Sequence, residues 1–301
     1  MGRRSKLIDV PTAAALVSDG DLVAIGGIHA HAAPMPIIRE LARAGRRNLR
    51  LLPNVSAGLP VEVLVAAGAV AEVYTAYVGM EDLGLAPAFR AAAEKGEIVV
   101  HDVDEPFTIY GLKAAAANLP FMPLPRGHEA TSTRALSADL FRTVVDPYSG
   151  REHVAIPAMR PDVGIVHAPR CDRFGNVFLD GPVYQDDLIL RASRTAIVVT
   201  DEIVPDGYAA AGRHKEVTVP SFMVSAVVAL PFAAHPTSSA GHYGRDELTL
   251  EEYMRSPDDW MATYVRGPRD HHDYLERVGV KRLLGTLRVD PTSTPEGTRH
   301  D

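Results

Sequence analysis

From Leu22 to Val100 the chain alternates short apolar runs with stretches of helical spacing, and glycine or proline marks almost every joint. Leu22–Ile25, Leu49–Leu52, Val70–Val78 and Ile98–Val100 read as strands. Between them helices are predicted over Pro36–Ala44, closed by Gly45, over Val61–Ala67, stopped by Gly68, and over Pro87–Glu94, capped by Gly96. Proline in a first helical turn forfeits no hydrogen bond, and glycine accepts the left-handed backbone that ends a helix. Pro11–Ser18 opens the series in the same way, and the alanine-rich stretch Gly111–Asn118 extends it. Strands this apolar are buried on both faces, and a helix between each pair lets the next strand enter parallel. The predicted fold class is α/β, a mainly parallel sheet with helices on both faces.

Residues 120–153 break the rhythm. PFMPLPRGHEATST is rich in proline and polar residues and predicts a long loop. Beyond it Val163–Val166, Ala196–Val199 and Val224–Leu230 read as strands and Asp187–Arg194 as a helix. A C-terminal helical part is expected over 247–279, broken at Pro257 and Pro268, with Leu283–Val289 as a last strand. One domain over 1–290 is expected, followed by a disordered tail over 291–301.

Composition narrows the partners. At 301 residues with a net charge of −7, the chain has no basic stripe to meet nucleic acid. Cys171 is the sole cysteine, which rules out a disulfide framework and a cysteine-based metal cluster. No apolar run approaches the length of a membrane span, and no secretory leader is evident, so the expected location is cytoplasmic. Among the 12 histidines, His29 and His31 are spaced i, i+2 and His271 and His272 are adjacent on an expected surface helix. Neither spacing matches a metal motif, and no metal is expected.

The run from Asp19 to Pro34, DGDLVAIGGIHAHAAP, carries the strongest local signal. It sets a strand against Gly26 and Gly27, follows them with small residues, and places proline where a helix starts. Such a turn lets backbone approach a ligand, and its N–H groups can face a carbonyl or an anion. It is neither a dinucleotide nor a nucleoside-triphosphate fingerprint. A plain turn from strand to helix is the competing reading. His29 and His31 would line the turn, and Gly79, after the strand end Tyr77-Val78, could admit a ligand or simply make a bend. A second cluster, His101-Asp102-Val103-Asp104-Glu105, follows a strand at its C-terminal end, where α/β sheets hold reactive groups. Crowded carboxylates suit a general base, whereas a solvated loop capping the next helix explains the same residues. Asp201-Glu202, at the C-terminal end of the strand Ala196–Val199, could make a contact at an active-site edge or subunit interface, with helix capping favoured, and His235 could orient a loop or simply serve the structure.

Read with its neighbours, the first run resembles the N-terminal signature of the family I coenzyme A transferases. Asp19-Gly20, Val23-Ala24-Ile25, Gly26-Gly27 and Pro34 fit that pattern, while Ile28 and Ala32 replace its phenylalanine and later glycine. DLGLAPAFRAAAEKGEI (82–98), AAAANLPFMPLP (114–125), VAIPAMRPDVGIVHAPRCDRFGNV (154–177) and VVALPFAAHPTSSAGHYGRD (227–246) resemble further family segments in the same order. DHHDYLERVGVKRLLGTLRV (270–289) is similar to the C-terminal stretch of α subunits of the glutaconate CoA-transferase type.

The resemblance implies an α subunit in a hetero-oligomer, a CoA thioester as substrate and no permanently bound cofactor. It also implies a β-type partner carrying the nucleophilic glutamate, because no Ser-Glu-Asn-Gly-like motif occurs in this chain. The implied reaction moves CoA between a carboxylic, or dicarboxylic, acyl-CoA and a small acid. The Gly26-Gly27 turn would hold the acyl carbonyl. Relatives that hydrolyse a ring carbon–carbon bond in steroid-derived CoA thioesters carry an Asp-Glu pair like Asp104-Glu105, and there Glu105 would be the catalytic group. A third expectation, a non-catalytic sugar-phosphate sensor, rests on shared fold alone.

Overall fold

In a computed structural model, residues 3–128, 132–181, 183–208 and 217–287 are described. The expected tail over 291–301 lies outside them. Along the chain come α1 (Val10–Ala14), β1 (Leu22–Ile25), α2 (Met35–Arg43), β2 (Leu49–Pro53), α3 (Leu59–Ala66), β3 (Val70–Thr75), α4 (Pro87–Lys95) and β4 (Val99–Asp102). There follow α5 (Glu105–Ala116), β5 (Phe121–Pro123), α6 (Thr133–Leu136), β6 (Arg142–Val145), β7 (Glu152–Pro157), β8 (Val163–Asp172) and β9 (Val177–Phe178). Then come α7 (Asp186–Ala192), β10 (Thr195–Val204), β11 (Ala226–Ala229), α8 (Glu247–Arg255), α9 (Pro257–Trp260), α10 (His271–Val278) and α11 (Val280–Thr286).

The main sheet has the order β11-β10-β8-β1-β2-β3-β4, all parallel, with β9 added antiparallel to β8. The predicted α/β class is correct. β1 shows why the sheet needs cover on both sides: Val23 and Ile25 enter one apolar cluster and Leu22 and Ala24 the other. Successive side chains of a strand point to opposite faces, and here both faces are core. The first cluster is closed by α1–α4 and the C-terminal helices, the second by α5, α7 and the small sheet. Because the strands are parallel, the loops after β1, β2, β3, β4, β8 and β10 emerge along one edge.

Residues 120–153 are not the long loop that their prolines predict. Among them β5 and β6 flank β7 in a three-stranded antiparallel sheet. The prolines cost no pairing, because Pro123 sits on an edge strand, where a missing N–H faces outward. Asp146–Gly150 makes the hairpin turn, with Gly150 at φ 70°. Of the predicted last strand over Leu283–Val289, residues 283–286 are helical instead, and 288–289 lie outside the described residues. Gly279, at φ 88°, ends α10 and α11 begins at once; its Leu283 is buried and Leu284 exposed. The Lys-Arg-Leu-Leu composition favours a helix in any case. The predicted helix from Gly111 starts earlier, at Glu105, with Asp104 as its N-cap accepting from the Phe107 N–H. Cys171, on β8, is fully buried, and burial pushes its thiol pKa well up.

Two buried charged groups knit the helices to one another. Glu62 of α3 is wholly buried and accepts from the Ala88 and Phe89 N–H groups at the start of α4 and from the Tyr253 hydroxyl of α8. A carboxylate at a helix N-terminus satisfies its orphan donors and complements its dipole. Arg39 of α2, 1% exposed, lies with its guanidinium 3.6 Å from the centroid of the Tyr274 ring. It donates to the His235 carbonyl at 3.2 Å and to His271 Nδ1 at 2.9 Å. His271 Nε2 in turn donates to the Pro231 carbonyl at 2.7 Å, which fixes the tautomer that Arg39 requires. His235 bridges the Tyr274 hydroxyl (2.6 Å) and Asp246 (3.0 Å). The sequence placed His271 on a surface helix; it is 5% exposed and faces inward.

Burial, reinforced by the charge of Arg39, lowers the His271 pKa to about 3. The unfolded imidazole takes a proton near 6.5 and the folded one does not, so this contribution to stability is whole above pH 6.5 and drains away as pH falls toward 3. The denaturant midpoint is expected to drop through that window in wild type and to drop less in His271→Gln, where an amide oxygen still accepts from Arg39. Arg39→Ala is expected to cost on the order of 3 kcal/mol in denaturant unfolding at pH 7.5, the scale for breaking a buried polar network.

Candidate active site

A cavity of about 530 Å³ opens at the C-terminal edge of the sheet. Its walls come from the turn after β1 (Gly27, Ile28, His31, Ala32), from Asp180 and Asp186, and from the 238–243 loop. Gly27 sits at φ 83°, and a Cβ there would lie 2.6 Å from the Ala32 carbonyl oxygen. Gly26 is demanded for a different reason. A Cβ on it would meet Asp186 Oδ1 at 2.4 Å and Val166 Cγ2 at 2.9 Å. The double glycine is thus shaped by a carboxylate that arrives 159 residues later in sequence, at the first turn of α7.

That carboxylate consumes the turn's donor. Gly27 N–H donates to Asp186 Oδ1 at 2.8 Å, and Gly26 N–H donates to the Ile165 carbonyl at 2.8 Å. The expectation that these amides hold an acyl carbonyl therefore meets a turn whose N–H groups already have protein acceptors. The rest of the loop is stitched down too. Ala32 N–H donates to the Ser238 carbonyl, Ala33 N–H to Thr237 Oγ1, and His31 Nδ1 lies 2.5 Å from Ser238 Oγ. Asn54, after β2, adds its side-chain amide to Asp186 Oδ2 at 3.4 Å. Burial pushes the Asp186 carboxyl up, and the Gly27 N–H draws it partly back.

Asp201 anchors the opposite wall. It was expected to cap a helix, but β10 runs on to Val204 and carries it inside the strand. Four donors converge on its carboxylate: His167 Nε2 at 2.7 Å, the Ser239 hydroxyl at 2.6 Å, the Tyr243 hydroxyl at 2.9 Å and the Ala233 N–H at 2.7 Å. Burial alone would raise this carboxyl, but the charge of His167 and the hydrogen bonds outweigh it and hold it below the usual range. Arg170 rims the site, paired with Asp180 at 2.6 Å and Glu202 at 3.0 Å.

The other residues singled out in the sequence divide between the cavity and its surroundings. Gly27 and His31 line it. His29 points elsewhere, with its ring 5.6 Å from that of Tyr77, edge to face, and its carbonyl against Gly58. Gly79 lies beneath the same Tyr77, whose phenol oxygen would be 2.1 Å from a Cβ there. The space that a ligand could have used at Gly79 is filled by that ring. Glu105 is exposed at the first position of α5, three strands away from β1 in the sheet order. His235 is a core residue, with both ring nitrogens bonded to Tyr274 and Asp246. Among the described residues, no group of three or more histidine, cysteine or carboxylate side chains could hold a metal ion. No described helix is long and apolar enough to cross a membrane. Asp186, Asn54, His167 and Ser239 escaped the sequence reading. Asn54 and His167 stand as isolated polar residues beside apolar runs, whereas Asp186 and Ser239 sit among polar neighbours, and Gly26-Gly27 gave no hint of which carboxylate they admit.

Gly26→Ala forces its methyl onto Asp186 and the Val166 backbone, so it is expected to lower stability by about 1–3 kcal/mol, as overpacking does. Thermal unfolding checks this against Gly285→Ala, where nothing lies within 4 Å and φ is not positive.

The comparisons agree with this architecture. Residues 8–230 match the family model described as Coenzyme A transferase. An uncharacterized protein of Archaeoglobus fulgidus is 36% identical over 280 residues, and this chain spans 62% of its length. The cholesterol ring-cleaving hydrolase IpdA subunit of Rhodococcus jostii is 31% identical, covering 90% of this chain and 96% of its own. A glutaconate CoA-transferase subunit of Acidaminococcus fermentans is 30% identical over 298 residues, with 91% and 92% covered. The crystal structure of glutaconate CoA-transferase from that organism superposes with a TM-score of 0.85 at 27% identity, over 95% of this chain and 96% of that one. A sheet edge built around a double-glycine turn and a match over most of the chain lead to one conclusion: the protein belongs to the coenzyme A transferase family.

Proposed function

We propose that this chain is the α-type half of a CoA-transferase, moving CoA between a carboxylic acyl-CoA and a small acid acceptor. The observation that carries the reading is a shaped cavity whose two lining carboxylates are already engaged. Asp186 is bound to the Gly27 N–H and Asp180 to Arg170, while the thiol of Cys171 is sealed in the core. A carboxylate nucleophile at this cavity therefore calls for a group that does not line it, and a β-type partner supplying a glutamate meets that need.

In that scheme the partner carboxylate attacks the thioester carbonyl, the C–S bond breaks, and an acyl-glutamyl anhydride and CoA thiolate result. The thiolate then attacks the glutamyl carbonyl, which frees the first acid and leaves a glutamyl-CoA thioester. A second acid reverses both steps and leaves with CoA. No water is consumed, and thioester energy is conserved. The chain's part is to wall the acyl group with Ile28, Ala32 and the 238–243 loop and to keep water out.

One observation favours a second reading, a ring-opening hydrolase. Glu105 stands exposed at the start of α5 on the same edge of the sheet, free of the capping duty that Asp104 performs. There it would act as base or nucleophile, with water completing the cleavage.

Glu105→Gln separates the two. In the complex of this chain with its partner, transferase turnover is expected to stay within about twofold of wild type, as for a surface change. Loss of all turnover would favour the hydrolase. Borohydride or hydroxylamine with acyl-CoA is expected to trap a modified glutamate on the partner. If saturating acyl-CoA leaves every partner glutamate unmodified, the transferase reading is wrong. Ligand binding without any turnover would point to a sensor.

A further inference from the structure

Two consecutive buried polar residues open α7 and reach in different directions. Gln185, 1% exposed, donates its Nε2–H to Thr108 Oγ1 on α5 at 2.9 Å. The Thr108 hydroxyl donates onward to the Glu105 carbonyl at 3.0 Å. Asp186, 4% exposed, holds Gly27 at 2.8 Å and takes the Asn54 amide at 3.4 Å. Two hydrogen-bonded arms, joined by the Gln185–Asp186 peptide, thus link the first residue of α5 to the glycine turn.

Sheet order makes that path consequential. β4, which feeds α5, lies three strands from β1, roughly 14 Å at the usual strand spacing. Strand pairing alone leaves the far ends of two loops loosely related. Apolar packing between α5 and α7 would keep the helices together more cheaply, since burying an amide and a carboxyl costs free energy that hydrogen bonds only offset. Gly26 has given up its side chain so that the Asp186 carboxylate can sit against the turn. The polar pair therefore fixes a position where apolar contacts would only maintain cohesion.

We propose that Gln185 and Asp186 are positioning residues, a two-residue bracket that sets the start of α5, with Glu105, at a fixed span from the Gly26-Gly27 turn. The inference rests on the second reading above, in which Glu105 joins the glycine turn at one thioester site. It assigns no bond-making role to either residue, since each acts through the backbone it holds.

The test uses the complex of this chain with its partner and two readouts. Asp186→Asn keeps an acceptor for the Gly27 N–H; Asp186→Ala and Gln185→Ala remove one arm each. By hydrogen–deuterium exchange, Asp186→Ala is expected to speed exchange at least tenfold in peptides over 22–35, and Gln185→Ala in peptides over 103–112, with Asp186→Asn near wild type. In turnover of an acyl-CoA, the alanine variants are expected to lose roughly 10–100-fold in kcat with KM within about threefold, the scale of a 1 Å misplacement. Asp186→Asn should recover most of that loss. Should Asp186→Asn be as inactive as Asp186→Ala while its exchange stays native, the carboxylate acts in the chemistry itself and the bracket is overturned. Native exchange in both alanine variants overturns it equally. If the wild-type complex turns over no CoA thioester, exchange still decides the bracket, and it is the functional reading that fails. Where Asp186→Ala does not fold, Gln185→Ala and Asp186→Asn carry the comparison.

Discussion

A guanidinium that meets no carboxylate among the described residues lies at the centre of this molecule. Arg39 is held by a carbonyl, an imidazole nitrogen and the face of a tyrosine. Such a cation is tolerated only where each donor finds a fixed acceptor, so the positions of His235, His271 and Tyr274 are mutually dependent. Those three residues come from the loop after β11 and from α10, while Arg39 belongs to the helix that leaves the glycine turn. The turn and the 238–243 loop therefore inherit their separation from a polar core beneath them. Desolvation holds the Arg39 pKa down to about 10, which still leaves the group charged near neutrality.

Much of the sheet could be read from the sequence because its strands obey a simple rule. Leu22–Ile25 is apolar on both faces and Leu49–Leu52 is apolar but for Arg50, and their flanking glycines and prolines act locally. The failures came where a residue's meaning depended on something far away. Pro120, Pro123 and Pro125 argued for a loop because their effect on pairing depends on whether the strand lies at an edge, which sequence does not disclose. Leu283–Val289 looked like a strand because its leucines are adjacent, yet Gly279 lets a helix restart in the space left by α10.

The site was readable to the same extent and no further. Gly26 and Gly27 announced that something comes close, since glycine in such a turn is a local signature. What comes close is Asp186, and an Asp-Asp pair in the first turn of a helix is indistinguishable from ordinary dipole-complementing residues. Asp201 was misjudged for a related reason: β10 continues past the point where its apolar run ends, so a residue that seemed to follow the strand is inside it. His167 gave no signal because one histidine among valines has no periodicity of its own. Long-range hydrogen bonds pair residues that share no sequence spacing, and a wall assembled from four such segments can be seen only when the chain is folded.

The solitary thiol of Cys171 has a use that follows from its burial. It sits on the central strand β8, beneath β9, with its sulfur directed to the Asp172 carbonyl. A reagent reaches it only when that part of the sheet parts from its cover, so the rate of modification reports opening of the structure and not the reactivity of an exposed thiolate. The molecule thus carries its own gauge of how often its middle comes undone, with no second cysteine among its residues to blur the signal.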